Sequence, residues 1–228
     1  MKIQIFDWGH SMDALKLKPS KEGLTFEQSM IYYQCALMEV ETKFKVLNKQ
    51  FSLLHDRNPI DSIDSRMKSN ESILRKMKKR NLDMSVDAME ENLFDIAGVR
   101  VISSFENDIY ELSNYFIKQD DVRLLERKDY IHGPKENGYR SLHLIVETPI
   151  YLAEGKKWVK VEVQFRTIAM DFWASLEHKL RYKKDLPAER LKEIDGVLLQ
   201  CAMVCAELDK KMQYIKDTET QKKIEHEE

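Results

Sequence analysis

The chain has no surplus of charge of either sign: 37 Lys and Arg stand against 39 Asp and Glu, a formal net charge of -2. Coating a duplex requires a large basic field, so a general nucleic-acid binder, DNA included, is excluded and any polyanion site must be local. Cysteine is scarce. Cys35, Cys201 and Cys205 form an odd set with no paired framework, which points to reduced thiols and a cytoplasmic protein. Cys201 and Cys205 lie four apart on an expected helix and read as packing residues. The six histidines show no zinc spacing; His55-Asp56, at the end of a helix with no further His or Asp around it, reads as structural. No apolar run approaches the ~20 residues of a membrane-spanning helix. Met1 to Asp7 lacks the apolar core of a signal peptide, so a soluble, intracellular chain with no membrane partner is expected. Also missing are Gly-x-x-x-x-Gly-Lys-Ser/Thr and Gly-x-Gly-x-x-Gly, which removes support for a P-loop enzyme and for a dinucleotide-binding Rossmann domain.

What is present is enough apolar residue, 43% of 228, for one sizeable core. Phe26, Met30, Tyr33, Leu37, Val40, Phe44, Leu47, Phe51 and Leu54 recur at the spacing of one helical stripe over about 25 to 55, and Pro59 closes it. An extended piece from Ile60 to Met67 leads to Ser69-Asn70-Glu71-Ser72, side chains suited to a helix N-terminus, with a helix to about Arg80. The run Ile96, Val99, Val101, Ile102 predicts a strand, Asp108 to Gln119 a helix, and Val122 to Glu126 a strand. Gly133, Pro134 and Gly138 mark a loop. Ser141 to Tyr151 and Trp158 to Thr167 are the clearest strands, and 168–183 and 187–216 read as helices before a polar tail of twelve residues expected to fray. The fold class expected is α/β or α+β: about five strands flanked by helices, with long terminal helices. The divisions expected are a leading segment 1–24, a main domain 25–183 and a C-terminal helix with its tail, 184–228.

Within Trp158 to Thr167 the alternation is clean: Val159, Val161, Val163 and Phe165 share one face, and Lys160, Glu162, Gln164 and Arg166 the other. A polar face can be a solvated edge, but these four side chains can also bind phosphate, metal or base. Between Arg66 and Arg80, seven Lys or Arg residues face a single Glu71. Most such runs are solvated helix faces; yet Arg66, Lys68, Ser72 and Lys76 surround a proposed helix start, where free N–H groups and the helix dipole favour anions such as a triphosphate. Asp95, open to reading as a cap residue, pairs with Glu162 as a candidate Mg²⁺ site, because Mg²⁺ commonly takes one or two carboxylates plus phosphate oxygens. Tyr139, beside Lys135, Asn137 and Gly138, is either a core aromatic or an exposed platform for a base.

Six segments, Arg66 to Ser69, Asp95 to Arg100, Lys128 to Ile131, Asn137 to His143, Glu162 to Thr167 and Met170 to His178, together resemble the synthetase domain of RelA/SpoT-type alarmone enzymes. The short length resembles the stand-alone small alarmone synthetases. The resemblance implies a nucleotidyltransferase-like mixed sheet and transfer of the β,γ-pyrophosphoryl group of ATP to the 3′-hydroxyl of GDP or GTP, giving AMP and ppGpp or pppGpp. It also implies roles. Arg66 and Arg100 would sandwich adenine, a planar stacking that guanidinium groups allow; Lys68, Ser72, Lys76 and Lys128 would hold the ATP phosphates; Asp95 and Glu162 would bind Mg²⁺, with Glu162 also the base for the 3′-hydroxyl. Tyr139 would stack on guanine, with Lys135 and His143 near the acceptor's phosphates and Gln164 lining that pocket. Asp171 is expected to read guanine, since a carboxylate accepts from both N1–H and N2–H₂. Synthesis without hydrolysis is expected from a chain of this length, as is a homotetramer built through the terminal helices. Glu126-Arg127-Lys128-Asp129 leaves the choice between GDP and GTP open, and regulation by an alarmone or RNA is undecided. A nucleotidyltransferase releasing pyrophosphate and a non-catalytic nucleotide sensor are the competing readings.

Overall fold

A computed structural model describes residues 17–54, 57–181 and 188–227. His55 and Asp56, like Met1 to Asp7, lie outside the described residues. The elements run α1 (Phe26–Leu54), β1 (Ile60–Met67), α2 (Asn70–Lys79), α3 (Val86–Asn92), β2 (Ala97–Ser103), α4 (Glu106–Ile117), β3 (Arg123–Asp129), β4 (Leu142–Leu152), β5 (Gly155–Thr167), α5 (Ile168–Arg181) and α6 (Ala188–Glu227). The strands form one sheet in the order β1-β2-β5-β4-β3. Only β2 and β5 pair in parallel; the other three pairings are antiparallel. A mixed five-stranded sheet with flanking helices therefore agrees with the expected fold class.

The two faces of the sheet differ because the side chains alternate. Val99, Val101, Leu142, Leu144, Val161, Val163 and Phe165 are all at or below 1% exposure, and α1 closes over this face. Its buried residues Tyr33, Leu37, Val40 and Phe44 recur every three or four positions, one helical stripe laid on the sheet. Phe44 seats the contact, with ring centroids 4.7 Å from Phe116 of α4 and 5.6 Å from Phe165 of β5. Beyond Phe44 the stripe leaves the core: Leu47 and Phe51 are only partly buried, and Leu54 is 74% exposed.

Three features depart from the sequence reading. α3 was not anticipated. It has seven residues, too few to display a helical period, and it is fixed from outside by the Ser85 cap on Ala88 N–H and by Ser29 of α1, whose hydroxyl donates to Glu90 at 2.6 Å. β3 continues three residues past Glu126 because β4 supplies its hydrogen bonds, so polar Arg127, Lys128 and Asp129 are in strand. The polar tail is drawn into helix: α6 runs as far as Glu227, in keeping with the tail's Lys, Gln and Glu content.

Candidate active site

The strand register builds the site before any side chain is considered. Across the open face it aligns Lys128, His143, Gln164, Arg100 and Asp64 in one row, and Glu126, Ile145, Glu162, Gly98 and Arg66 in the next. Residues directly opposite in a sheet point the same way. Two rows thus carry Arg66, Arg100, Glu162, Gln164, His143 and Lys128, drawn from all five strands, and Gly98 leaves the floor between Arg66 and Glu162 free of a side chain.

The β1–β2 end, with α2, is a cluster of cations around one carboxylate. Ser69 caps α2 by accepting from Ser72 N–H at 3.3 Å, and Ser72 Oγ lies 2.9 Å from Ser69 Oγ. Lys68 and Lys76, one before the helix and one on its second turn, both reach Asp95 Oδ2, at 3.0 and 2.7 Å. Burial pushes the Asp95 carboxyl up, but hydrogen bonds from Lys76 and Lys68 outweigh it and hold the group below its ordinary range. Its Oδ1 is buried without a partner, a lone pair directed at nothing in the chain. Arg66 is exposed and Arg100 half-buried. Burial first, then the nearby Arg166 and Arg66 cations, pull Arg100 below its ordinary range, with Asp171 opposing.

The β4–β5 end is a bonded network of a different character. Tyr139 Oη lies 2.8 Å from His143 Nε2, and His143 Nδ1 lies 3.1 Å from Glu162 Oε1. Gln164 donates to Glu162 Oε2 at 2.8 Å, so both oxygens of Glu162 have partners. Burial and, more weakly, the like charge of Asp95 push Glu162 up, but His143 and Gln164 pull it down further; the net is a depressed carboxyl. Tyr130 meets the rings of Tyr139 and His143 edge-on, at 6.1 and 5.3 Å. Lys135 Nζ sits over Tyr130 and Tyr139, at 4.6 and 4.9 Å from their centroids.

Most of the expected residues are therefore brought together in two groups: Arg66, Lys68, Ser72, Lys76, Asp95 and Arg100 in one, Lys135, Tyr139, His143, Glu162 and Gln164 in the other. Lys128 does not join Lys68 and Lys76. It is on β3, three strands from Arg100 and beside His143, with Glu126 Oε2 at 2.8 Å. Asp171 joins the groups: its Oδ1 is 2.9 Å from Arg166 Nη1 and 3.3 Å from Arg100 Nη1. Arg166, singled out on the polar face of β5, carries no specific role in the sequence reading. It donates to Tyr139 Oη at 2.8 Å and to Gln164 Oε1 at 3.0 Å, and the alternation of β5 had already placed it on the polar face with Glu162. Among the described residues no group of three or more His, Cys, Asp or Glu gathers as a metal nest. The Asp95 and Glu162 carboxylates, with Asp95 Oδ1 unpartnered, suit instead a hard cation that draws its other ligands from phosphates.

Such a face presents cations, carboxylates and aromatic rings suited to nucleotides, and known proteins resemble the chain in sequence and fold. Residues 65–186 match the family model described as the region found in RelA / SpoT proteins. The chain is similar to GTP pyrophosphokinase YwaC of Bacillus subtilis (strain 168), 44% identical over 84% of this chain and 90% of that one. It is also similar to GTP pyrophosphokinase YjbM of the same organism, 35% identical over 69% and 74%. Among solved structures, small alarmone synthetase 1 from Bacillus subtilis bound to its product pppGpp superposes with a TM-score of 0.76 at 31% identity, covering 84% of this chain and 96% of that one. Small alarmone synthetase 2 from Bacillus subtilis gives 0.75 at 42% identity, covering 85% and 99%.

Proposed function

The chain belongs to the RelA/SpoT family and is a GTP pyrophosphokinase that makes (p)ppGpp, and on that premise we propose how its own residues carry the reaction. Arg66 and Arg100 flank the adenine of ATP, while Lys68, Ser72, Lys76 and the N-terminus of α2 take its phosphates. Lys128, across the sheet beside His143, meets the far end of that phosphate chain. Tyr139 stacks on the guanine of GDP or GTP, Lys135 and His143 face its phosphates, Gln164 lines the pocket, and Asp171 accepts from the guanine edge. Glu162 takes the proton of the 3′-hydroxyl. The freed oxygen bonds to the β-phosphorus of ATP, the bond from that phosphorus to the α-phosphate oxygen breaks, and AMP leaves with the electron pair. Bound by Asp95 and Glu162, Mg²⁺ would neutralise charge on the transferred group.

The observation that carries this reading is the double row of cations and carboxylates on one open face, with an aromatic box at its β4–β5 end. Incubation with ATP, GDP and Mg²⁺, followed by separation of the nucleotides, should yield AMP and ppGpp in equal amounts. Pyrophosphate would point to a nucleotidyltransferase of another substrate, and no turnover to a sensor. For Asp171, the Asp171→Ala variant should lose preference for a guanine over an adenine acceptor; an unchanged preference removes that assignment.

We further propose a homotetramer assembled through terminal helices. Its support is the exposed apolar set on α1 and α6, with Met38, Val46, Met203, Val204, Met212 and Ile215 all between 52% and 66% exposed, more than a solitary helix face usually leaves in water. Light scattering on the purified protein decides it: a monomer mass at micromolar concentration would rule it out. No described helix is long and apolar enough to cross a membrane, and we assign the enzyme to the cytoplasm on its free Cys35, Cys201 and Cys205.

A further inference from the structure

The loop that carries Tyr139 does not stand alone; it rests on α6. Gly138 is buried with φ +87°, and a Cβ at that position would lie 2.5 Å from Ala202 Cβ and 3.2 Å from Leu199 Cδ1. Both the left-handed backbone and the missing side chain are therefore required where the loop touches the helix. Tyr139 packs on the small cluster of Trp173, Ala174, Leu198 and Ala202, and the Trp173 indole donates to Leu198 O at 2.8 Å. About two turns past Ala202 on α6, Asp209 is 7% exposed. Its Oδ2 accepts from Arg140 Nη1 at 3.1 Å and from Thr167 Oγ1 at 3.0 Å, while Arg140 Nη2 also reaches Glu106 at 2.6 Å.

The placement of those two donors is informative. Arg140 follows Tyr139 in the chain and Thr167 follows Arg166, and Arg166 holds the Tyr139 hydroxyl. A single buried carboxylate thus fixes the residue next to each member of the Tyr139–Arg166 pair. A buried ion pair is a weak source of stability, since desolvation offsets its attraction; its better attested use is to fix one arrangement among several. We propose that α6, through Asp209 and the Gly138–Ala202 contact, positions the acceptor platform, so that Asp209, Arg140, Thr167 and Ala202 set acceptor affinity without touching either nucleotide. This rests on the reading of Tyr139 as the guanine platform.

Three variants of the full chain test it with steady-state kinetics in each substrate and with binding of a non-hydrolysable ATP analogue. Asp209→Asn removes the charge at constant volume, and Ala202→Leu pushes on Gly138 from the helix side. Both should raise the KM for GDP about tenfold or more, since small misplacements are expensive in an oriented site. The rate at saturating GDP, the KM for ATP and the analogue affinity should stay within about twofold. An unchanged GDP KM, or equal losses for both nucleotides, would overturn the proposal; if Ala202→Leu does not fold, Asp209→Asn decides it alone. Tyr139→Ala separates the two levels of inference. If it leaves the GDP KM unchanged, the platform assignment itself fails; if it raises the KM while the α6 variants do not, only the role of α6 is lost.

Discussion

The two halves of the site reach their form by different means. Named for the nucleotides proposed for them, the two halves differ: the donor half, around α2 and Asp95, is electrostatic and open, with Lys68 and Lys76 converging on one carboxylate whose second oxygen has no partner and Arg66 in solvent. In the acceptor half, hydrogen bonds link Tyr139, His143, Glu162, Gln164 and Arg166 into a chain, with Tyr130 against it. A cation cluster relaxes as a triphosphate and its metal arrive, because charge attracts from many directions. A stacking platform has to be shaped beforehand, because dispersion and base-edge hydrogen bonds act only at short range. The donor half should therefore respond to changes of charge, and the acceptor half to changes of shape.

The largest break should come from Asp95→Asn, which removes the charge that faces both lysines. We expect turnover to fall by at least about 100-fold, the scale of losing one group aimed at developing charge, measured as AMP release. A residual rate within a few fold of the parent would move the metal elsewhere. Next, Tyr139→Ala should raise the acceptor KM about tenfold, as stacking on one aromatic is typically worth about 1–3 kcal/mol per base, and should leave the KM for ATP close to its parent value. If both constants rise together, the division into halves is wrong. A smaller effect, about fivefold on the ATP KM, is expected from Arg100→Lys, which keeps the charge and loses the planar face; an equal change in the GDP constant would mean that Arg100 acts mainly through Asp171. The smallest effect concerns pH. The Asp95 carboxyl is depressed in the folded chain, so its contribution to stability is fully present above the unfolded carboxyl value of about 3.9 and is lost as pH falls through the lower folded value. Urea denaturation should give a stability gap between the parent and Asp95→Asn that is constant from neutral pH down to about pH 5 and closes only below about pH 4. A gap that closes near neutral pH would contradict the lysine clamp.

Much of the donor half could be read along the chain because it is local. Ser69, the polar turn after it and the lysines of α2 lie within thirteen residues of Arg66, and helix capping depends on neighbours in sequence. Alternation alone likewise separated Glu162 and Gln164 from the valines of β5. α3 escaped because seven residues cannot show a period, and the end of β3 escaped because its polar residues are in strand only through β4. Lys128 shows the same limit in the site: its motif named it as a phosphate ligand, but strand order put it beside His143, with two strands between it and Arg100. Asp209 carried no signal at all, since its partners Arg140 and Thr167 are 69 and 42 residues away.

By itself the sequence determined the identities and faces of the chemical groups, because side-chain periodicity, caps and turn residues act over a few positions. Only the tertiary structure decided which groups meet. The parallel pairing of β2 with β5 brought Asp95 within the field of Glu162, and the seating of α6 on Gly138 gave Tyr139 its support. Both depend on the register and packing of segments far apart in the chain, where the burial of a shared core selects one arrangement that no local pattern specifies.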